Sequence, residues 1–122
     1  MFLNIKPFSV NEAWQGKRFR TPAYKRFTRD VISILPMRQL PKPPYFLVLE
    51  FGVSSKAADW DNPIKPFQDI LQQRYGFNDR DVMAGFARKK LVAKGEEFIY
   101  WDILSFDEKV ADKIDKLIFD HL

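Results

Sequence analysis

One apolar run limits what this chain can fold into. Residues 45–53 read Tyr-Phe-Leu-Val-Leu-Glu-Phe-Gly-Val and contain a single charged side chain. The run is too short to span a bilayer, which takes about 20 residues in a helix. Its length and its aromatic and aliphatic content are typical of a strand that is buried on both faces. Such a strand predicts a sheet that surrounds it and helices that pack on that sheet.

Helix signals lie on both sides of this strand. A first helix is expected from about Pro22 to Leu35, because the Thr21 hydroxyl can cap a helix that starts with proline. Its predicted core stripe comprises Ala23, Phe27, Val31 and Ile34. A second helix is expected to begin between residues 62 and 66 and to stop at Gly76. A third is expected from residue 106 to the C-terminus.

The remaining segments complete one domain. A short strand is expected at residues 1–5, and two paired strands at 81–94 and 96–104, with a turn near Lys94-Gly95. The proline-rich residues 36–44 read as a stiff connector, because neither flank is long enough to form a separate domain. We therefore predict an α/β (α+β) fold, in which residues 1–122 form a single small domain with helices packed on a mixed β-sheet.

The amino-acid composition argues against several classes of protein. The 122 residues include no cysteine, which excludes disulfides and thiolate metal sites. The one histidine, His121, stands at the C-terminus, which argues against histidine-based catalysis. No segment has the apolar length of a membrane helix or of a signal peptide. These features predict a cytoplasmic protein with no membrane partner.

Positive charge is concentrated in the first three quarters of the chain. Residues 1–94 hold 17 Lys or Arg against 8 Asp or Glu, whereas residues 95–122 hold 3 against 8. A basic body favours a polyanionic partner such as nucleic acid, through phosphate contacts and counterion release. Many basic proteins bind nothing anionic, however, so charge is a weak indication by itself.

Acidic side chains gather within this basic body. Asp59 and Asp61 follow the apolar strand at its C-terminal end, and in an extended segment both point to the same side. Lys65 comes early in the next helix, and Asp79 follows that helix, so a short helical excursion can bring it back beside the first pair. Carboxylates suit Mg²⁺, and a lysine can stabilise charge on a scissile phosphate. The pattern is compatible with phosphodiester hydrolysis.

The same acidic segments have an ordinary structural explanation. Asp61 or Asn62 ahead of Pro63 is a typical helix N-cap. The pair Asn78-Asp79 is typical of a turn. Spacing alone therefore leaves capping as a strong alternative to metal binding.

Taken together, the acidic segments resemble the signature of the RusA-like Holliday junction resolvases of phage and prophage origin. The matching positions, at unbroken spacing, are Asp59, Asp61, Asn62, Lys65, Asp69, Leu71, Asn78, Asp79 and Val82. Weaker similarity extends upstream to Asn11 and residues 17–21, and downstream to the last strands and helix. The resemblance thus covers most of the chain, and its specificity lies in residues 59–82.

This resemblance implies a homodimeric endonuclease that requires Mg²⁺, or Mn²⁺ in its place. It implies binding to branched DNA rather than to a small molecule, and resolution of four-way junctions by paired symmetric nicks in recombination and repair. The family's metal-binding and catalytic residues correspond to Asp59, Asp61 and Asp79, and its catalytic lysine to Lys65. Asn78 and Asp81 depart from the usual pattern, which leaves open whether Asp79 or Asp81 faces the metal, although the register favours Asp79.

A nuclease of this kind also needs a surface that binds DNA. The candidate cations are Lys17, Arg18, Arg20, Lys25, Arg29 and Lys65. Phe19 or Tyr24 could stack at the junction centre, whereas Trp60 is expected in the core. The alternative functions are a non-catalytic DNA-binding module, or a metal-dependent nuclease that acts on other branched DNA or on RNA.

Overall fold

The strand at residues 45–53 lies inside a four-stranded sheet. The computed structural model describes residues 1–8, 14–15 and 19–122, with residues 14–15 and 19–20 described by their backbone alone. The strands are β1 (Phe2–Leu3), β2 (Trp14–Gln15), β3 (Phe19–Arg20), β4 (Tyr45–Val53), β5 (Val82–Leu91) and β6 (Phe98–Ser105). The helices are α1 (Pro22–Ile34), α2 (Ile64–Tyr75) and α3 (Glu108–Leu117), and short 3-10 turns cover Asp79–Asp81 and Phe119–His121. The predicted α+β class is confirmed.

The strand order of the sheet is β1-β6-β4-β5. β5 runs parallel to β4, whereas β6 runs antiparallel to it, and β1 closes the other edge against β6. We expected β5 and β6 to pair with each other, and that expectation is wrong, because β4 lies between them. The Val92 N–H donates to the Val53 carbonyl over 2.9 Å, so the connection from β5 to β6 turns at the end of β4. The most apolar strand thereby gains a partner on each side.

Helices α1 and α2 cover one face of the sheet. Alternate residues of β4 point into that layer, and the buried set on this strand is Tyr45, Leu47, Leu49 and Phe51. Trp101 on β6 is fully buried, as a core position requires. The opposite face of β4, which includes Phe46 and Val48, is only half-buried. The expectation that β4 is buried on both faces is therefore wrong for this second face.

The buried stripe of α1 is shifted from the predicted one. The structure buries Tyr24, Phe27, Thr28 and Val31, whereas Ala23 and Ile34 are exposed. The physical cause is an anchor between helices: the Tyr24 hydroxyl donates to the Pro66 carbonyl of α2 over 2.9 Å. Since Tyr24 is fully buried, it cannot stack on a nucleobase, and that sequence-based suggestion is wrong.

Removing the Tyr24 hydroxyl tests this anchor. We expect Tyr24→Phe to lower the free energy of unfolding by about 1–3 kcal/mol, because the buried Pro66 carbonyl loses its donor. Urea unfolding at neutral pH measures the change, with Tyr100→Phe on the exposed face as the matched control. Unchanged stability of Tyr24→Phe would contradict the anchor.

The second helix ends where its sequence predicts. Gly76 adopts a left-handed conformation with φ of 75°, and its N–H donates to the Gln72 carbonyl over 2.8 Å. A glycine allows this turn at no steric cost, and the turn sends the chain back toward the start of α2. Across the described residues, no helix has the length and apolar character that crossing a membrane requires.

Candidate active site

A charged cluster sits where α2 begins and where the chain returns after it. The Lys65 ammonium lies 2.8 Å from the Asp69 carboxylate and 3.5 Å from the Asp79 carboxylate. The Gln68 amide donates to the other Asp79 oxygen over 3.1 Å. Lys65 and Asp79 are 14 residues apart in sequence, so the fold itself brings them together. The sequence predicted that Asp79 returns to the start of α2 beside Asp59 and Asp61, and the contact that the structure shows for it there is with Lys65.

The position of Lys65 is electrostatically unfavourable for the helix. It occupies the first turn of α2, where the helix dipole favours acids, and this first turn contains no acid. Asp69 follows four residues later, but a lysine ahead of an acid is the weaker order for such a pair. A cation kept at the wrong end of a helix indicates a role other than helix stability.

The neighbours of Lys65 keep it protonated. The hydrogen bond to Asp69 raises the pKa of Lys65 above its ordinary value, partial burial opposes this, and the charges of Asp69 and Asp79 add to the increase. Lys65 is therefore an ammonium at neutral pH. It can stabilise negative charge on a phosphate, and it cannot accept a proton as a general base.

Replacing Asp69 by asparagine is expected to lower the pKa of Lys65 toward its ordinary value of about 10.4. A raised pKa stabilises the fold below the unfolded-state value, and that contribution disappears as pH rises through the folded-state value. The stability difference between wild type and Asp69→Asn should therefore be constant from neutral pH to about pH 9 and shrink above about pH 10. An NMR titration of the Lys65 side chain measures the shift, and an identical pKa in both proteins would contradict it. Asp112→Asn on α3 is the matched control, since it removes a similarly spaced acid from another lysine.

Asp59 and Asp61 lie in the exposed loop between β4 and α2. One Asp59 oxygen accepts a hydrogen bond from the Asn62 amide over 2.7 Å. The residue that precedes α2 is Pro63, and no side chain caps this helix. Asp61 contributes only its backbone carbonyl, which accepts from the Ile64 N–H over 3.1 Å. Helix capping therefore does not account for these two carboxylates.

Asp81 has a different and structural task. Its carboxylate accepts from the Asn78 N–H over 3.1 Å, while the Asn78 side chain accepts from the Arg80 N–H over 3.2 Å. These reciprocal bonds form a capping box around the short 3-10 turn. Asp79 instead points its carboxylate toward Lys65. Of the two acids that the sequence left open, the geometry therefore favours Asp79 for the site.

The oxygen donors suit a hard divalent cation, but they do not form a closed cage. Within residues 1–8 and 21–122, no three acidic or histidine side chains form a group able to hold a metal ion. Mg²⁺ commonly uses one or two carboxylates and keeps several waters, so the exposed Asp59, Asp61 and Asp79 fit its chemistry. The joint binding of one ion by these three residues stays a prediction.

The structure describes the side chains of only some of the expected DNA-binding cations. Lys25 and Arg29 are exposed on α1 and border, with Gln73 of α2, a hollow of about 350 Å³. Lys17 and Arg18 lie outside the described residues, and Arg20 is described by its backbone alone.

Two neighbours of the site escaped the sequence analysis. Gln68 holds Asp79, and its spacing of three residues from Lys65 on one helix face was the signal that could have found it. Trp60 was expected in the core, whereas 53% of its surface is exposed. An aromatic residue between two exposed acids was the available signal for that exposure.

The candidate site therefore consists of the Lys65–Asp69–Asp79 cluster, with Gln68, and the exposed loop of Asp59 and Asp61. These residues and their geometry define the site. No protein-family model matches the chain, and no curated protein matches it either.

Proposed function

We propose that this chain is a Mg²⁺-dependent, structure-specific endodeoxyribonuclease of the RusA-like kind. In this proposal it resolves four-way DNA junctions by paired symmetric nicks and serves recombination and repair in the cytoplasm. The observation that carries the proposal is the pairing of Lys65 with Asp79 across α2. A lysine that stays charged beside an exposed acid is a combination that phosphodiester hydrolysis can use.

Each residue of the site has a distinct task in this mechanism. Asp59, Asp61 and Asp79 would hold the metal through carboxylate oxygens. Bound Mg²⁺, or Mn²⁺ in its place, supplies Lewis-acid chemistry by polarising the phosphate and acidifying a bound water. Asp79 also pairs with Lys65, and the Lys65 ammonium would stabilise the negative charge that develops on the scissile phosphate.

The position of Lys65 in its helix also supports the proposed function. An exposed cation in the first turn of a helix costs about 0.3–1 kcal/mol, and the pair with Asp69 returns only about 0.2–0.5 kcal/mol. The helix dipole thus opposes this charge, and the pairs with Asp69 and Asp79 are what offset it. A catalytic use of that charge gives the placement a reason.

Cleavage of a synthetic four-way junction tests the proposal. The wild-type protein should nick the junction in Mg²⁺ and not in EDTA, and it should cut the junction faster than a flap, a linear duplex or RNA. Asp61→Asn should still bind the junction but no longer cut it. Undiminished cutting by Asp61→Asn would sink the assignment. Binding by the wild type without any metal-dependent cutting would indicate a non-catalytic DNA-binding module instead.

Paired nicks need two active sites, because one site cannot reach both strands at once. The face of the sheet that lies opposite α1 and α2 carries four exposed apolar side chains from three strands: Phe2, Phe86, Tyr100 and Leu104. The last residue of α3 and the residues that follow it also expose apolar side chains: Leu117, Ile118, Phe119 and Leu122. Each copy carries both surfaces, so a two-fold pair of copies can cover both.

Sedimentation of the double variant Leu117→Glu/Ile118→Glu tests this partner. A shift from dimer to monomer, with the circular dichroism of the fold retained, is the expected result. A wild-type chain that sediments as a monomer at micromolar concentration would contradict the homodimer.

A further inference from the structure

Trp60 is placed as a contact residue rather than as a core residue. Its indole is 53% exposed, although it is among the largest apolar side chains of the chain. The ring is nevertheless held, because its N–H donates to the Ala87 carbonyl on the edge strand β5 over 3.0 Å. A large ring that is fixed in an exposed position loses little conformational freedom when a ligand packs against it.

An apolar groove runs beside this ring, between α2 and β5. It measures about 350 Å³, and Leu47 and Leu49 of β4 contribute to its lining. The strand β5 lines it with large and small residues, and the small ones are Ala84, Gly85 and Ala87. A Cβ added at Gly85 would lie 2.8 Å from the Leu47 carbonyl oxygen, so the close approach of the two strands excludes a larger residue there.

The groove adjoins the candidate active site. Ile64 and Gln68 of α2 form its helical side. Gln68 holds the Asp79 carboxylate, and Lys65 follows Ile64 directly. On the other side, the Lys89 ammonium lies 2.8 Å from the Ala58 carbonyl, two residues before Trp60. Lys65 and Lys89 do not line the groove, but they neighbour residues that border it or hold its ring, and an apolar slot beside cations suits a flat base carried on a phosphate chain.

We propose that Trp60 stacks on a nucleobase next to the cleaved phosphate, and that the groove between α2 and β5 receives this base. The inference rests on the proposed function and adds a binding site for one unpaired nucleotide. Bases at a branch point are easier to unstack than bases inside a duplex, so this site favours branched over linear DNA. Stacking accepts any base, and the preference is therefore for structure rather than for sequence.

Binding is measured in EDTA, with a fluorescent four-way junction and with matched junctions that lack one base beside the cut. Trp60→Ala should bind the intact junction roughly 5- to 150-fold more weakly than wild type, the range expected for one stacked base. Trp60→Phe should recover most of the affinity. On the junction that lacks the stacked base, wild type and Trp60→Ala should bind equally well, and this double comparison isolates the contact. Addition of intact junction should quench tryptophan emission in wild type and leave Trp60→Phe unquenched.

Two outcomes would overturn the inference while leaving the proposed function intact. One is a cleaving wild type whose affinity for the intact junction is unchanged by Trp60→Ala. The other is Trp60 emission that responds to protein concentration and not to DNA, which would make this surface a contact between copies. A wild type that neither binds nor cuts the junction would instead defeat the proposed function itself. If Trp60→Ala fails to fold, Trp60→Phe and the base-deleted junctions still decide the question.

Discussion

Asp79→Asn is expected to lower the rate of junction cleavage by at least about 10²-fold, the scale on which one lost electrostatic contact at a reacting centre acts. The carboxylate of Asp79 lies 3.5 Å from Lys65 and accepts from Gln68, so it is held at the centre of the site. Asparagine keeps the shape and one accepting oxygen, while it removes the charge that a metal needs and one of the two oxygens that accept from Lys65 and Gln68. Single-turnover cleavage in saturating Mg²⁺ measures the effect, because it separates chemistry from product release.

Asp81→Asn is the matched control for this experiment. Asp81 is two residues away and carries the same charge, yet its carboxylate closes a capping box on the Asn78 N–H. We expect the control to cost about 0.5–2 kcal/mol of stability and to leave the cleavage rate within a few-fold of wild type. A larger loss of cleavage for Asp81→Asn than for Asp79→Asn would reverse the assignment of the two acids.

Phe67→Ala is expected to cost about 3–5 kcal/mol of unfolding free energy, a large share of the 5–15 kcal/mol typical of a small domain. Phe67 is 1% exposed, and its ring meets Phe51 of β4 edge to face, with 6.3 Å between ring centroids. Its loss leaves a cavity under the first turns of α2. Urea unfolding, monitored by circular dichroism, measures the loss.

Phe86→Ala makes the same chemical change on the outer face of the sheet. Phe86 is 53% exposed in a single copy, so its effect should stay within about 1 kcal/mol when unfolding is measured at a protein concentration too low for copies to pair. If Phe67→Ala and Phe86→Ala lower the free energy of unfolding by the same amount, α2 is not packed on β4 as described. If Phe67→Ala also abolishes cleavage while it remains folded, the position of α2 itself sets the geometry of Lys65.

Local signals were enough to predict the helices and the strands of the four-stranded sheet, but not the short strands β2 and β3. Thr21-Pro22 starts α1, Gly76 stops α2, and the largely apolar residues of β4 form an inner strand of the sheet, because each of these effects acts within one turn or one strand. Strand order was not predictable in the same way. β5 and β6 are neighbours in sequence, but their pairing depends on where β4 finds partners, which is a property of the whole sheet.

The site was predictable to a similar extent. The return of Asp79 to the start of α2 was predictable, since helix length and a glycine stop fix the return of the chain. The ion pair that the structure shows for it is with Lys65, whereas the prediction placed it beside Asp59 and Asp61. The register already favoured Asp79 over Asp81, and the coordinates add the contacts that separate the two acids, a pair with Lys65 for Asp79 and a capping box for Asp81. Trp60 was misjudged because hydrophobicity predicts burial on average and cannot show that small residues on β5 leave its ring in the open.

The position of β4 also governs when the chain can fold during its synthesis. Its pairing partners, such as Ser105 opposite Tyr45 and Leu91 opposite Val53, are made tens of residues later. A nascent chain that ends at residue 91 has β4 with one open edge and lacks Trp101 and Ile103 from the core. Folding must therefore wait for β6, and until then an apolar strand is exposed to other chains. Until residue 105 has been made, β4 therefore stays open along the edge that β6 covers in the folded chain.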